Sequence, residues 1–205
     1  MEALTPIELP FPVGWLPYGF LPSSHASILY QLALRAGSIL EIGSWVGRST
    51  CVIGAALQRR REMVPFHTID FFIEDDDDWQ RRYGVPLASK INAEVYRQFM
   101  RQPGGARGVL ERHLTVRVLD HLVNIHQGDF RQIDFGQRFG LIFCDATHDD
   151  REIALNVPPL LQLLEPAGIL VCHDIATDGL LQALLTQTAF AWHHVHDSLF
   201  YGQPQ

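Results

Sequence analysis

The sequence predicts an α/β fold, a doubly wound, Rossmann-like, mostly parallel sheet with helices on both faces. Two patterns carry that prediction. Short apolar runs recur along the chain with amphipathic helical stretches between them, and the first run turns into its helix through a loop holding Gly43 and Gly47. Strands covered on both faces read as continuous apolar runs of this kind. The expected sheet closes with an antiparallel pair and carries a helical insertion between its second and third strands.

Taken in order, residues 1–24 hold Pro6, Pro10, Pro12, Pro17 and Pro22 among Phe11, Trp15, Tyr18 and Phe20. Proline at that density excludes a helix, and the aromatic content predicts an arm that docks on its own domain or on a second subunit. Ser24 is the expected cap of a helix to about Arg35, ended by Gly37. Ser38–Ile42 reads as the first strand, Gly43–Gly47 as a tight loop, and Arg48–Arg61 as a helix with arginines in its last turn. Phe66–Asp70 is the second strand. Residues 71–122 are too long for one crossover helix. They open on the acidic run Glu74–Asp78, expected to be a solvated loop, and then show helical patterns over 87–101 and 106–122 around Pro103-Gly-Gly105. Such insertions tend to be lids, binding loops or oligomer contacts. Val123–His126, Leu141–Cys144 and Ile169–Cys172 complete the parallel strands. Asp149–Leu164 and Asp178–Thr188 are the later helices, and Phe190–Tyr201 forms the closing pair. The whole reads as a single domain, 1–205.

Composition narrows the function. The chain is 47% hydrophobic and 19% charged with a net charge of −7, which supports a core and offers no basic footprint for nucleic acid. No apolar run approaches the roughly 20 residues of a membrane span, and the N-terminus lacks a basic region followed by an apolar one. Cys51, Cys144 and Cys172 all lie in apolar stretches without ligand spacing and read as buried thiols. A cytoplasmic protein is expected. The apolar surface of the arm and the insertion predicts a homodimer or higher homo-oligomer.

The candidate site lies at the strand ends, where open α/β sheets bind ligands. Glu41-Ile-Gly-Ser-Trp-Val-Gly-Arg-Ser-Thr50 places two glycines at a sharp turn before a helix whose first N–H groups can face an anion. Its glycines are four apart, unlike the G-x-G-x-x-G of dinucleotide sites. Asp70 ends the second strand, where a carboxylate could hold ribose hydroxyls, and Gln127-Gly-Asp-Phe130 ends the third, where a polar edge and a ring could hold adenine. Together with Phe143-Cys-Asp-Ala-Thr-His148 and Gly168-Ile-Leu-Val-Cys-His-Asp174, these segments resemble class I S-adenosylmethionine-dependent methyltransferases. More narrowly they are similar to bacterial sugar and macrolide O-methyltransferases and cephalosporin-biosynthesis methyltransferase-like proteins, over about residues 25–196. The resemblance implies S-adenosylmethionine as cofactor. By that implication Gly43 and Gly47 flank its methionine part, Asp70 binds the ribose and Asp129 with Phe130 lies near the adenine, while Glu41, Ser44, Trp45, Ser49, Phe71, Gly128 and Asp145 complete the expected cofactor-binding set. Trp45 is either a cation–π partner of the sulfonium or a packing residue.

Asp145 and Asp174 end what should be adjacent strands, roughly 5 Å apart. Two such carboxylates repel unless one is protonated or a cation lies between them. The resemblance favours a divalent cation bound by Asp145, Asp174 and, if the chain turns there, His173; the other reading is that both aspartates cap helices. Mg or Mn is expected, with Fe or Zn if His173 ligates. Thr147-His-Asp-Asp150 has the form of a helix start, with Thr147 as cap and His148 in the first turn, where the helix N-terminus favours neutral imidazole while Asp149 and Asp150 pull the other way. His148 is therefore the expected catalytic base, with Asp145 beside it. His193, His194 and His196 lack an arguable partner. The expected function is divalent-metal-assisted O-methylation of a small-molecule hydroxyl on a sugar or phenolic compound. Its rivals are a metal-independent N- or O-methyltransferase, a nucleotide-binding oxidoreductase, and a non-catalytic adenosyl-binding protein.

Overall fold

The computed structural model describes residues 1–205, the side chain of Val13 excepted. One sheet contains β1 (Ile39–Ile42), β2 (Phe66–Asp70), β3 (Asn124–Gln127), β4 (Phe139–Cys144), β5 (Leu164–Cys172), β6 (Phe190–His196) and β7 (Leu199–Pro204). The spatial order is β3-β2-β1-β4-β5-β7-β6. The first five strands pair in parallel, and β7 runs antiparallel to both β5 and β6. The expected doubly wound sheet and its closing pair are thus present. β1 and β4 are neighbours, so the chain winds outward in opposite directions from that seam, and their C-terminal ends form the switch point at which open α/β sheets bind ligands.

The helices are α1 (Ser23–Ala33), α2 (Arg48–Gln58), α3 (Asp76–Tyr83), α4 (Ala93–Met100), α5 (Gly105–Val116), α6 (Asp150–Leu163) and α7 (Asp178–Leu185). Alternate strand residues feed two cores. Leu141 and Phe143 join α1, α2 and α5 on one face, while Ile142 and Cys144 join α6 and α7 on the other. Ile73, Trp79, Leu87 and Ala93 give the insertion a small core of its own. The three cysteines are buried and unpaired.

Several boundaries differ from expectation for local reasons. The acidic run is not a loop: Asp75 Oδ1 accepts the Asp78 N–H at 2.7 Å and caps α3, whose first turn holds Asp76, Asp77 and Asp78. Carboxylates there meet the positive end of the helix dipole. The stretch 87–101 divides into a 3₁₀ turn at Leu87–Ser89 and α4, and α5 stops at Val116. α1 starts two residues early, with Pro22 rather than Ser24 at its cap position, and Ser24 lies in its first turn. α2 ends at Gln58, so Arg59–Arg61 follow it, and Arg60 instead donates to the Ala36 carbonyl.

The arm docks on its own domain. Leu4 N–H donates to the Tyr201 hydroxyl at 2.8 Å and Ile7 N–H to Ser27 Oγ at 2.6 Å. Arg48 donates to the carbonyls of Pro17 and Leu21, each at 2.8 Å, and Arg117 donates to that of Trp15. These two arginines hold Trp15–Leu21 against the start of α2 and the end of α5.

Candidate active site at the strand ends

The glycine loop is built by its neighbours. Gly43 has φ 87° and Gly47 φ 94°, in the left-handed region that glycine alone enters without strain. A Cβ on Gly43 would lie 2.8 Å from the Asp145 carbonyl oxygen, and one on Gly47 would run into Leu110 of α5. The space expected for a ligand is therefore filled, on the Cβ side of both glycines, by the protein's own chain. Asp70 ties this loop to β2: Oδ2 accepts the Trp45 N–H at 2.8 Å and Oδ1 the Phe72 N–H at 2.7 Å. Burial raises its pKa, and those two N–H groups draw it back down. Each carboxylate oxygen keeps a lone pair for a further donor.

Glu41 is fully buried in β1. Its Oε2 accepts from the hydroxyls of Thr50 at 2.7 Å and Thr68 at 2.6 Å. Burial pushes its pKa up to about 7 against the pull of Ser49, Thr68 and Thr50. Glu41 Oε1 and the nearby loop's Ser44 Oγ are buried with no partner among the described residues. The third strand end departs from expectation. Asp129 is held by Arg131, with Oδ2 accepting at 2.6 Å, and the Phe130 ring is 5% exposed within the core, so its faces are not presented to a ligand. Phe71 lies under the Arg82 guanidinium, 4.5 Å from its ring centroid.

At the ends of β4 and β5, single ligand atoms from Asp145, His148 and Asp174 all lie within 4.8 Å of one another. Asp174 has φ 63°, so the chain has already turned, and the His173 ring is buried with Nδ1 2.9 Å from Asp145 Oδ1 and 3.4 Å from Asp174 Oδ1. His148, not expected as a ligand, faces the same two carboxylates, its Nε2 3.8 Å from both Asp145 Oδ1 and Asp174 Oδ2. The expected cap also moves. Asp149 Oδ1 accepts the Glu152 N–H at 2.8 Å, while Thr147 donates to the His173 carbonyl at 3.1 Å. That shift places His148 before α6 and lets Glu152 Oε2 meet both its N–H and its Nδ1 at 2.8 Å. Burial would lower the His148 pKa, but Glu152, Asp145 and Asp174 raise it to about 9. The imidazole expected to be neutral is thus protonated at neutral pH and balances the carboxylates. Glu152 was legible only as the last residue of an Asp-x-x-Glu helix start, a pattern Thr147 obscured.

Sequence reasoning also missed the aromatic wall. Trp45 stacks on Phe20 at 5.4 Å and 3° and meets Tyr96 and Phe99, each at 5.1 Å. Tyr96 in turn meets Trp79 at 5.1 Å. Burial raises the pKa of the Tyr96 phenol, and so do the charges of Asp145, Asp174 and Asp70, which keep it a neutral donor. Arm, glycine loop and insertion therefore meet beside the carboxylate cluster. Only the tertiary fold brings those three segments together.

Comparison with known proteins agrees with this geometry. Residues 40–175 match the model of a family described as a methyltransferase domain. No curated protein matches the chain in sequence. Among solved structures, the SAH-bound methyltransferase PaMTH1 of Podospora anserina is similar at TM-score 0.59 and 16% identity, over 90% of this chain and 79% of that one. The O-methyltransferase TomG of Streptomyces achromogenes, in complex with SAM and involved in tomaymycin synthesis, matches at TM-score 0.57 and 16% identity over 91% and 82%. A methyltransferase from Geobacter sulfurreducens matches at TM-score 0.58 and 16% identity over 88% and 77%. At such identity the likeness is one of fold. The family match spans more than half of the chain, which therefore belongs to the methyltransferase-domain family and has the fold of class I S-adenosylmethionine-dependent methyltransferases.

Proposed function

We propose that the protein is an O-methyltransferase that uses S-adenosylmethionine and a divalent cation to methylate a hydroxyl of a small molecule. The convergence of Asp145, His148 and Asp174 at the β4 and β5 ends, beside the glycine loop, carries this reading. Two carboxylates and an imidazole suit a divalent ion, and Glu152 on Nδ1 completes the carboxylate–histidine pairing common behind metal-bound histidines. His148 then takes the ligand place expected of His173, and its deprotonation accompanies ion binding. A bound divalent ion supplies a lowered hydroxyl pKa.

The remaining work falls to the chain. Asp70, Glu41 Oε1 and Ser44 Oγ offer polar atoms to a cofactor's ribose and methionine parts, consistent with the SAM and SAH in the similar structures. Trp45 and Tyr96 form an aromatic wall that would exclude water from the methyl path, while Asp145 and Asp174 orient the acceptor's hydroxyl. A sugar or a phenolic compound is the proposed acceptor.

Calorimetry with Mn²⁺ tests the scheme. Asp145→Ala and Asp174→Ala are each expected to lose ion binding and methyl transfer together. His148→Ala is expected to lose the ion as well; if it kept the ion and lost only rate, roughly 10²–10⁴-fold, His148 would be the base expected from the sequence. Full activity in the presence of EDTA would overturn the cation reading.

A further inference from the structure

Behind the carboxylate cluster lies a group of histidines that the methyl-transfer scheme does not use. His25 of α1 is 1% exposed, and neither of its ring nitrogens has a partner among the described residues. His173, 2% exposed at the end of β5, bonds Asp145 through Nδ1, while its Nε2 is buried and unpartnered. The two rings meet edge to face with centroids 5.3 Å apart. On the far side, His25 Nε2 is 3.8 Å from Asp197 Oδ2 in the β6–β7 turn, and His196 Nε2 is 3.6 Å from the same oxygen. That turn is fixed to the catalytic loop by the Ile175 N–H, which donates to the Ser198 carbonyl at 2.9 Å.

Three unpartnered ring nitrogens in one buried place are costly, and native interiors rarely keep them. The remedy is already within reach. Elsewhere in this molecule His67 and His126 approach at 2.9 Å between ring nitrogens with centroids 5.1 Å apart, almost the separation of His25 and His173. A nitrogen-to-nitrogen pairing of the same kind between His25 and His173 would give partners to two of the three. Asp145 accepts from His173 Nδ1–H, which leaves Nε2 as the ring nitrogen in need of a partner.

We infer that His25 is a positioning residue for methyl transfer: it shares an N–H···N hydrogen bond with His173, which fixes the ring that holds Asp145. The inference rests on the proposed role of Asp145 in the active site. It gives Asp145 Oδ1, which also faces His148, a partner whose ring is held from behind. It also gives Asp197 the task of orienting His25 from outside. A packing role alone would be filled equally well by an apolar side chain of the same size.

The direct test is NMR of the full-length protein labelled with ¹⁵N-histidine and free of metal. A through-hydrogen-bond nitrogen–nitrogen coupling between His25 and His173 is expected, with His173 protonated on Nδ1; assignments come from His25→Gln and His173→Gln. Absence of that coupling overturns the inference. The second arm measures Mn²⁺ affinity by calorimetry in His25→Leu and His25→Gln. His25→Leu is expected to keep the thermal midpoint and weaken Mn²⁺ about tenfold, the scale of lost support behind a ligand, while His25→Gln, which retains a donor, restores it. Unchanged affinity in His25→Leu overturns the positioning role. Should His25→Leu fail to fold, the coupling in the unaltered protein decides. If the unaltered protein shows the coupling but binds no Mn²⁺, the hydrogen bond stands and the cation reading of the active site falls instead.

Discussion

Glu41 shows how much one buried residue can weigh. Its pKa stands at about 7 in the folded chain against an ordinary carboxylate value of 4.5, because burial outweighs three hydroxyl donors. An acid raised in the folded state binds its proton more tightly there than in the unfolded chain. Its stabilising contribution is present below pH 4.5 and is lost as pH rises to about 7. The loss is roughly 3 kcal/mol at the exchange rate between pKa and free energy. Glu41→Gln keeps an acceptor for Thr50 and Thr68, so chemical denaturation across that pH range should lose this slope in the variant. Asp70 sits at the same scale. Asp70→Ala is expected to weaken S-adenosylhomocysteine binding by roughly 1–3 kcal/mol in calorimetry, and unchanged affinity would remove it from the site.

Among the elements, the glycine loop and α5 depend on each other. Gly47 has φ 94°, and any Cβ there meets Leu110, so Gly47→Ala is penalised twice. The backbone penalty is about 1–2 kcal/mol and overpacking adds about 1–3 kcal/mol. Shortening the obstacle in Gly47→Ala/Leu110→Ala should remove the overpacking part relative to Leu110→Ala alone, while the backbone part persists; a double-mutant cycle from thermal melts measures the two separately. The glycine spacing was visible in the sequence. Its partner was not, because Leu110 lies in an insertion whose docking depends on packing at long range. The acidic run teaches the same lesson locally: Asp75–Asp78 looks like a solvated run until Asp75 is seen as a cap, and Asp75→Ala is expected to cost α3 about 1 kcal/mol.

For the whole molecule, the arm's contacts redistribute the apolar surface that suggested self-association. Leu4, Leu9, Phe11 and Trp15 pack on their own domain, and Arg117 lies 5.1 Å over the Trp15 ring. The proposed homo-oligomer then rests on the apolar side chains still exposed, among them Ile7 and Tyr18 of the arm and Val85, Ile91, Val116 and Val118 of the insertion. Light scattering should report at least twice the 23.2 kDa of one chain, and Ile91→Asp should reduce that mass; a 23.2 kDa particle for the unaltered protein would overturn the oligomer. No helix among the described residues is long and apolar enough to cross a membrane.

The sequence by itself determined the fold class, the five parallel strands, the closing pair and the strand-end positions of Asp70, Asp145 and Asp174. Each depends on local periodicity or on a turn within a few residues, which chain order preserves. The tertiary structure alone decided which nitrogen faces which carboxylate. Thr147 yields the cap to Asp149, and Glu152 then holds His148 beside Asp145 and Asp174. His173, adjacent in sequence to Asp174, turns inward to Asp145 and toward His25, a residue 148 positions earlier in the chain. Side-chain direction at a strand end depends on a backbone turn such as the φ of 63° at Asp174 and on what packs behind it, and neither is encoded by spacing along the chain.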